Sequence, residues 1–179
     1  MFTIERIREL LALLNQELAR RNVRGELYLA GGAVMCLVFH ARPATKDIDA
    51  LLVPPAELRA AALAVARAED LPETWLNDAV KGYFSEGGRF DIFEEFSHLR
   101  VYVPNPDYLF AMKCLAMRLG EEFQDAQDVG VLIRVLNIRS LADAERILER
   151  YYPAERYPAK TRYMLEELIK LPPPAPQTD

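Results

Sequence analysis

The chain has 179 residues, 51% of them apolar, enough to build one domain with a helical appendage. Its 27 acidic and 22 basic residues leave a net charge of −5 and no basic tract, which argues against a protein gripping long DNA by its backbone, though not against a small RNA or a nucleotide. No uninterrupted apolar run is long enough to span a bilayer, and Glu5 and Arg6 stand where a secretory leader would turn apolar, so the expected location is the cytoplasm.

The first predicted element is a helix over residues 4–20, with an apolar stripe at Ile4, Ile7, Leu10, Leu11, Leu14 and Leu18 and Thr3 as its N-cap. A turn at 22–25 leads to a strand at 26–30. Gly31 and Gly32 follow, then a helix-length apolar run at 33–40 that His40 ends. Asp47-Ile48-Asp49 opens a second apolar strand, which Pro54-Pro55 ends. An alanine-rich helix then runs to residue 68. Residues 75–81 form a short amphipathic piece with Trp75 as a core anchor. Gly82 and Gly87-Gly88 mark loops, and 90–93 and 99–103 read as strands.

From Asn105 the pattern becomes helical. Asn105-Pro106-Asp107 supplies a cap, a proline at the first helical position and an acid in the first turn. Leu109, Met112, Leu115 and Leu119 keep the helical period. A second helix spans 121–136, Ser140 caps a third over 141–150, and 161–170 is the last. The proline-rich stretch 171–179 reads as a disordered tail. The class is therefore α+β: a sheet-bearing half over 1–104, then a helical half over 105–170. Cys36 and Cys114 fall in apolar helical runs and read as buried thiols.

The stretch 29–52 carries the chemistry. A glycine pair between strand and helix lets a backbone approach a ligand closely, and the helix start behind it suits a phosphate. Asp47 and Asp49, two apart on a strand, direct both carboxylates to one face, an arrangement that suits Mg²⁺ or Mn²⁺ shared with substrate phosphates. Arg42 and Thr45 lie between the two halves and can cap the turn or contact a phosphate. A third acid commonly completes such a site; Asp91 is the first candidate and Asp78 the second. Later come Lys113, Arg118, Asp125 and Asp128. Lys113 can meet triphosphate oxygens as a point charge, and Asp125 and Asp128, three apart on a helix, can orient Lys113 or Arg118.

Taken together, Gly31-Gly32, Arg42, Thr45 and Asp47-x-Asp49 resemble the opening motif of the nucleotidyltransferase superfamily related to DNA polymerase beta. More narrowly they resemble the AbiEii-like toxins and their relatives, whose last motif the Lys113-to-Asp128 pattern also resembles. The resemblance covers about residues 25–137. It implies a small mixed sheet flanked by helices, with a helical half closing over a cleft and the third acid on a strand beside that of Asp47 and Asp49. Asp47, Asp49 and Asp91 would hold the metal, and Gly31, Gly32, Arg42, Thr45, Lys113 and Asp128 would bind nucleotide. The implied reaction is attack of a hydroxyl on the α-phosphorus of an NTP with loss of pyrophosphate. The acceptor is a tRNA, a protein side chain or a small molecule, and a toxin–antitoxin role is a further reading. The competing class is a non-catalytic nucleotide- or partner-binding protein on the same fold. Lys113 is expected at a cleft rim, packed little, with Asp128 holding it.

Overall fold

The computed structural model describes residues 1–118 and 124–171. They form two compact units. The first comprises residues 1–84 and 89–105; the second comprises 85–88 and the described residues from 106 onward. The α+β class holds: among the described residues there are seven α-helices, a five-stranded mixed sheet and a two-stranded one.

The first unit is built on the five-stranded sheet. Its strands are β2 (Gly25–Leu29), β4 (Ile48–Val53), β5 (Leu76–Asn77), β6 (Phe90–Glu95) and β7 (Leu99–Pro104), in the order β5-β4-β2-β7-β6. β2 pairs antiparallel with β4 and parallel with β7, and β4 pairs parallel with β5. Strand side chains alternate between two faces. Leu27, Leu29, Ile48, Ala50, Leu52, Val101 and their neighbours are buried on one of them. That face is covered by α1 (Ile4–Arg20) and α3 (Pro55–Ala68). At Gly25 the cover is tight: a Cβ there would lie 2.8 Å from a methyl of Leu58 and 3.2 Å from one of Leu18. The opposite face carries Glu26, Tyr28, Asp49, Leu51, Asn77, Arg100 and Tyr102, all half-buried. Tyr28 stacks on Tyr102 (4.5 Å between centroids) and meets Phe90 edge-on.

Several local expectations hold. Thr3 Oγ1 accepts a hydrogen bond from the Arg6 N–H at 3.3 Å, capping α1. Trp75 is buried, its Nε1–H donating to the Ala62 carbonyl at 2.9 Å. Others shift. The helix α2 spans Gly31–Leu37 and stops short of His40. His40 takes φ +49°, and the Ala41 N–H closes back on the Met35 carbonyl at 3.0 Å, so a left-handed closure ends the helix early. Residues 75–81 do not form one continuous amphipathic piece. The Ile48 N–H bonds the Trp75 carbonyl at 2.8 Å and Leu76–Asn77 pairs with β4, so long-range pairing overrides the local pattern. A 3₁₀ turn follows over Ala79–Tyr83. β6 extends to Glu95 and bulges between Ile92 and Glu94. A short two-stranded sheet, β1 (Phe2–Thr3) with β3 (Ala44–Thr45), has no sequence signal of its own.

The second unit holds α4 (Pro106–Ala116), α5 (Asp125–Val135), α6 (Leu141–Leu148) and α7 (Ala159–Lys170). The expected part of helix two at 121–123, Leu119 and the tail from 172 lie outside the described residues. Ser140 forms a full capping box with Asp143 at the start of α6. Asn105 does not cap α4: its buried Oδ1 has no hydrogen-bond partner among the described residues. The Asp107 carboxylate bonds the Tyr108 N–H at 2.9 Å instead. Residues 85–88 are held here by Tyr108, whose hydroxyl accepts the Ser85 N–H at 2.7 Å, and by Ser85 Oγ donating to the Tyr151 carbonyl at 2.8 Å. Cys36 and Cys114 are both buried, and burial pushes the Cys114 thiol up. Among the described residues no helix is long and apolar enough to cross a membrane.

Candidate functional site

The turn after β2 gathers most of the motif residues. β2 and β4 stay in register through Leu29 and Ala50, and the Ala30 N–H then donates to the Asp49 carbonyl at 2.8 Å. The chain must turn sharply at this point, and Gly31 does so at φ +62°, a left-handed conformation that a side chain disfavours. Space makes the same demand. A Cβ on Gly31 would sit 2.6 Å from Oδ2 of Asp49. A Cβ on Gly32 would run into the Thr45 hydroxyl and stand 3.3 Å from a guanidinium nitrogen of Arg42. Thus Asp49, Thr45 and Arg42 converge on the glycine backbone from the strands and bend that follow α2. Thr45 is buried and held by the pairing of β3 with β1. Both glycines are therefore required by packing, not merely tolerated in a turn.

Asp47 departs from its expected place. It lies exposed in the bend before β4, whose first residue is Ile48, so only Asp49 of the pair is in the strand. Asp49 faces the sheet surface opposite α1 and α3, as the alternation of half-buried and buried residues along β4 shows.

Asp91 does not join them. It lies on β6, separated from β4 by β7 and β2, which amounts to three strand spacings or roughly 14 Å. Its register partner Val103 belongs to the buried face, so Asp91 and Asp49 also stand on opposite faces. The strand beside β4 is β5, and there the partner of Asp49 is Asn77. Asp78, one residue on, is ion-paired with Arg59 of α3, on the helix-covered side, with Lys81 at 3.9 Å. The hydrogen bond from Arg59 holds the Asp78 carboxyl below the usual carboxylate range. Among the described residues no three His, Cys, Asp or Glu side chains gather closely enough to hold a metal ion. The available donor set is two carboxylates, Asp47 and Asp49. That number suits a Mg²⁺ ion whose remaining ligands are substrate phosphates and water, and the bare Gly31 backbone lets the Asp49 carboxylate pack directly against the turn, where a Cβ would collide with it.

In the second unit Lys113, Asp125, Asp128 and Arg118 form one cluster. Lys113 Nζ donates to Asp128 Oδ2 at 2.6 Å and stands 3.7 Å from Asp125 Oδ1. Arg118 meets the other Asp125 oxygen twice, through its backbone N–H and its Nε–H, each at 3.1 Å. Lys113 is 8% exposed, Asp125 6% and Asp128 3%. Lys113 is thus a buried cation among buried carboxylates and not a loosely packed rim residue. An ion is buried only when paired and hydrogen-bonded, and this cluster meets that condition with its own residues.

Sequence reasoning missed the position of Asn77 next to Asp49, because it depends on which strand β5 joins. It also missed the aromatic pair on the same sheet face. There the Tyr28 hydroxyl donates to Glu26 Oε2 at 2.8 Å, and burial together with that carboxylate raises the Tyr28 pKa to about 12. Alternation of half-buried residues along β2 and β7 could have pointed to this surface, had the pairing of the two strands been known. Compared with protein-family profiles, characterised proteins and solved structures, the chain matches none.

Proposed function

We propose that the chain is a Mg²⁺-dependent nucleotidyltransferase of the polymerase beta-like superfamily, akin to the AbiEii-like group. The observation that carries this reading is the packing of Gly31 and Gly32 against Asp49, Thr45 and Arg42. A bare backbone turn flanked by a carboxylate, a hydroxyl and a guanidinium joins the two halves of a phosphate and cation site, in the order the motif demands.

In this reading Asp47 and Asp49 would hold Mg²⁺ or Mn²⁺, which would supply charge neutralisation for the phosphates of an NTP. Gly31 and Gly32 admit a phosphate close to the main chain, and Thr45 and Arg42 supply a hydroxyl and a fork of N–H donors for its oxygens. An acceptor hydroxyl on RNA, protein or a small molecule then attacks the α-phosphorus. The bond to the bridging oxygen breaks, pyrophosphate leaves with the electron pair, and the hydroxyl proton passes to water or to a carboxylate of the pair. A toxin–antitoxin role would follow if the acceptor were an RNA of the host cell.

The test is incubation of the full chain with each α-³²P-labelled NTP, Mg²⁺ and cell lysate. A labelled macromolecule that vanishes with Asp49→Asn is expected; absence of both labelling and nucleotide binding would remove the reading. The non-catalytic alternative is favoured by one observation, the amide of Asn77 where a third acid would stand. It predicts calorimetric binding of Mg²⁺–NTP without any transfer.

A further inference from the structure

Asn77 lies beside Asp49 in the parallel pairing of β5 with β4, so both side chains emerge on one face, about one strand spacing apart. That face is the one turned away from α1 and α3: Leu76 and Ile48, the preceding register pair, are the buried members. The amide has a defined orientation. Asn77 Oδ1 accepts the Ala79 N–H at 3.1 Å, closing a local turn, so the oxygen is engaged and the Nδ2 amine is the edge left to donate. Asp49 therefore has the Gly31 turn against its carboxylate and Asn77 as its register neighbour on β5. Asp78, the next residue along, is taken by Arg59 on the far side.

We infer that Asn77 is the third polar residue of the site and donates through Nδ2 to an anionic phosphate oxygen of the bound nucleotide, in the position where a carboxylate for the cation would otherwise stand. This rests on the nucleotide reading above. It also sharpens it. With two carboxylates and an amide, the site is too weakly charged to hold a divalent cation firmly by itself; cation and nucleotide bind as one unit, because the phosphates complete the coordination. A neutral donor in that position adds affinity for the phosphates and offers no base for the acceptor hydroxyl.

The test titrates the full chain with Mn²⁺ alone, read by electron paramagnetic resonance, and with Mn²⁺ plus each of the four α,β-methylene NTP analogues, read by calorimetry. Asn77→Asp keeps the acceptor for the Ala79 N–H, so the local turn survives. It should bind Mn²⁺ alone at least about tenfold more tightly than wild type. That gain should disappear in the Asp49→Asn/Asn77→Asp double variant. Asn77→Ala should weaken the Mn²⁺–analogue complex by about tenfold or more while leaving Mn²⁺ alone unchanged, since only a hydrogen bond to a charged group is lost. Asp78→Asn should change neither. Failure of Asn77→Asp to tighten Mn²⁺ binding, or an Asn77→Ala variant that binds the analogue as wild type does, overturns the role of Asn77 and leaves the nucleotide reading standing. A wild-type chain that binds none of the four analogues overturns the nucleotide reading, and the amide's role with it.

Discussion

Two clusters of charged residues stand in this protein, and they differ in what satisfies them. In the second unit, Lys113, Asp125 and Asp128 are almost wholly buried; Lys113 is hydrogen-bonded to Asp128, and Asp125 is shared between Lys113 and Arg118. In the first unit, Asp49 and Asn77 lie half-buried on a sheet face, Asp47 is exposed in the bend before β4, and glycines keep the backbone next to Asp49 bare. Both clusters look alike as strings of acids and bases. Burial separates them: ions with no access to water must be paired internally, whereas ions at a surface can exchange water for a ligand. The Lys113 group is largely sealed from water, and the Asp49 group stands on a partly solvent-exposed face.

The largest expected effect tests the first half of that contrast. Lys113→Met leaves Asp128 buried and uncompensated, so it should destabilise the fold by about 3–5 kcal/mol in urea unfolding. The double change Lys113→Met/Asp128→Leu should recover much of that loss, because an apolar pair of similar size needs no counter-charge. If Lys113→Met unfolds like wild type, the cluster is not the self-contained ion group described above.

Gly31→Ala comes next. It must hold an L side chain at φ +62°, at about 1–2 kcal/mol, and it also presses a methyl on Asp49. A lower thermal midpoint together with loss of Mg²⁺–NTP binding is expected. Asp49→Asn, by contrast, should lose the binding with little change in midpoint. A Gly31→Ala variant that binds normally would reduce the glycine to a turn.

Arg118 refines the comparison within its own cluster. Its side chain is 64% exposed although its partner Asp125 is buried. Arg118→Ala should therefore cost about 1 kcal/mol or less, well below the effect of Lys113→Met. The smallest effect belongs to Asp91→Asn: it is exposed, distant from β4 and on the other face, so stability should move within about 0.5 kcal/mol and nucleotide binding should not move. A loss of binding in that variant would contradict the sheet order.

What the sequence by itself determined is local. The cap at Thr3, the capping box at Ser140, the proline starts of α3 and α4 and the glycine pair after β2 follow from bonds within a few residues and from backbone freedom. The grouping of Gly31, Gly32, Arg42, Thr45 and Asp49 was also legible, because one short stretch of chain carries all five. The third position of the site was not. Asp91 ranks first and Asp78 second as candidate acids, but nothing within their own segments says which strand pairs with which. Only the sheet order β5-β4-β2-β7-β6 decided it, setting Asp91 three strands away and Asn77 next to Asp49. The same holds for Lys113. Its spacing along α4 could not distinguish an exposed edge from the interior, because helical period fixes direction around the axis and not how much neighbouring chain packs there. Register and burial are properties of long-range contacts, and those exist only in the folded tertiary structure.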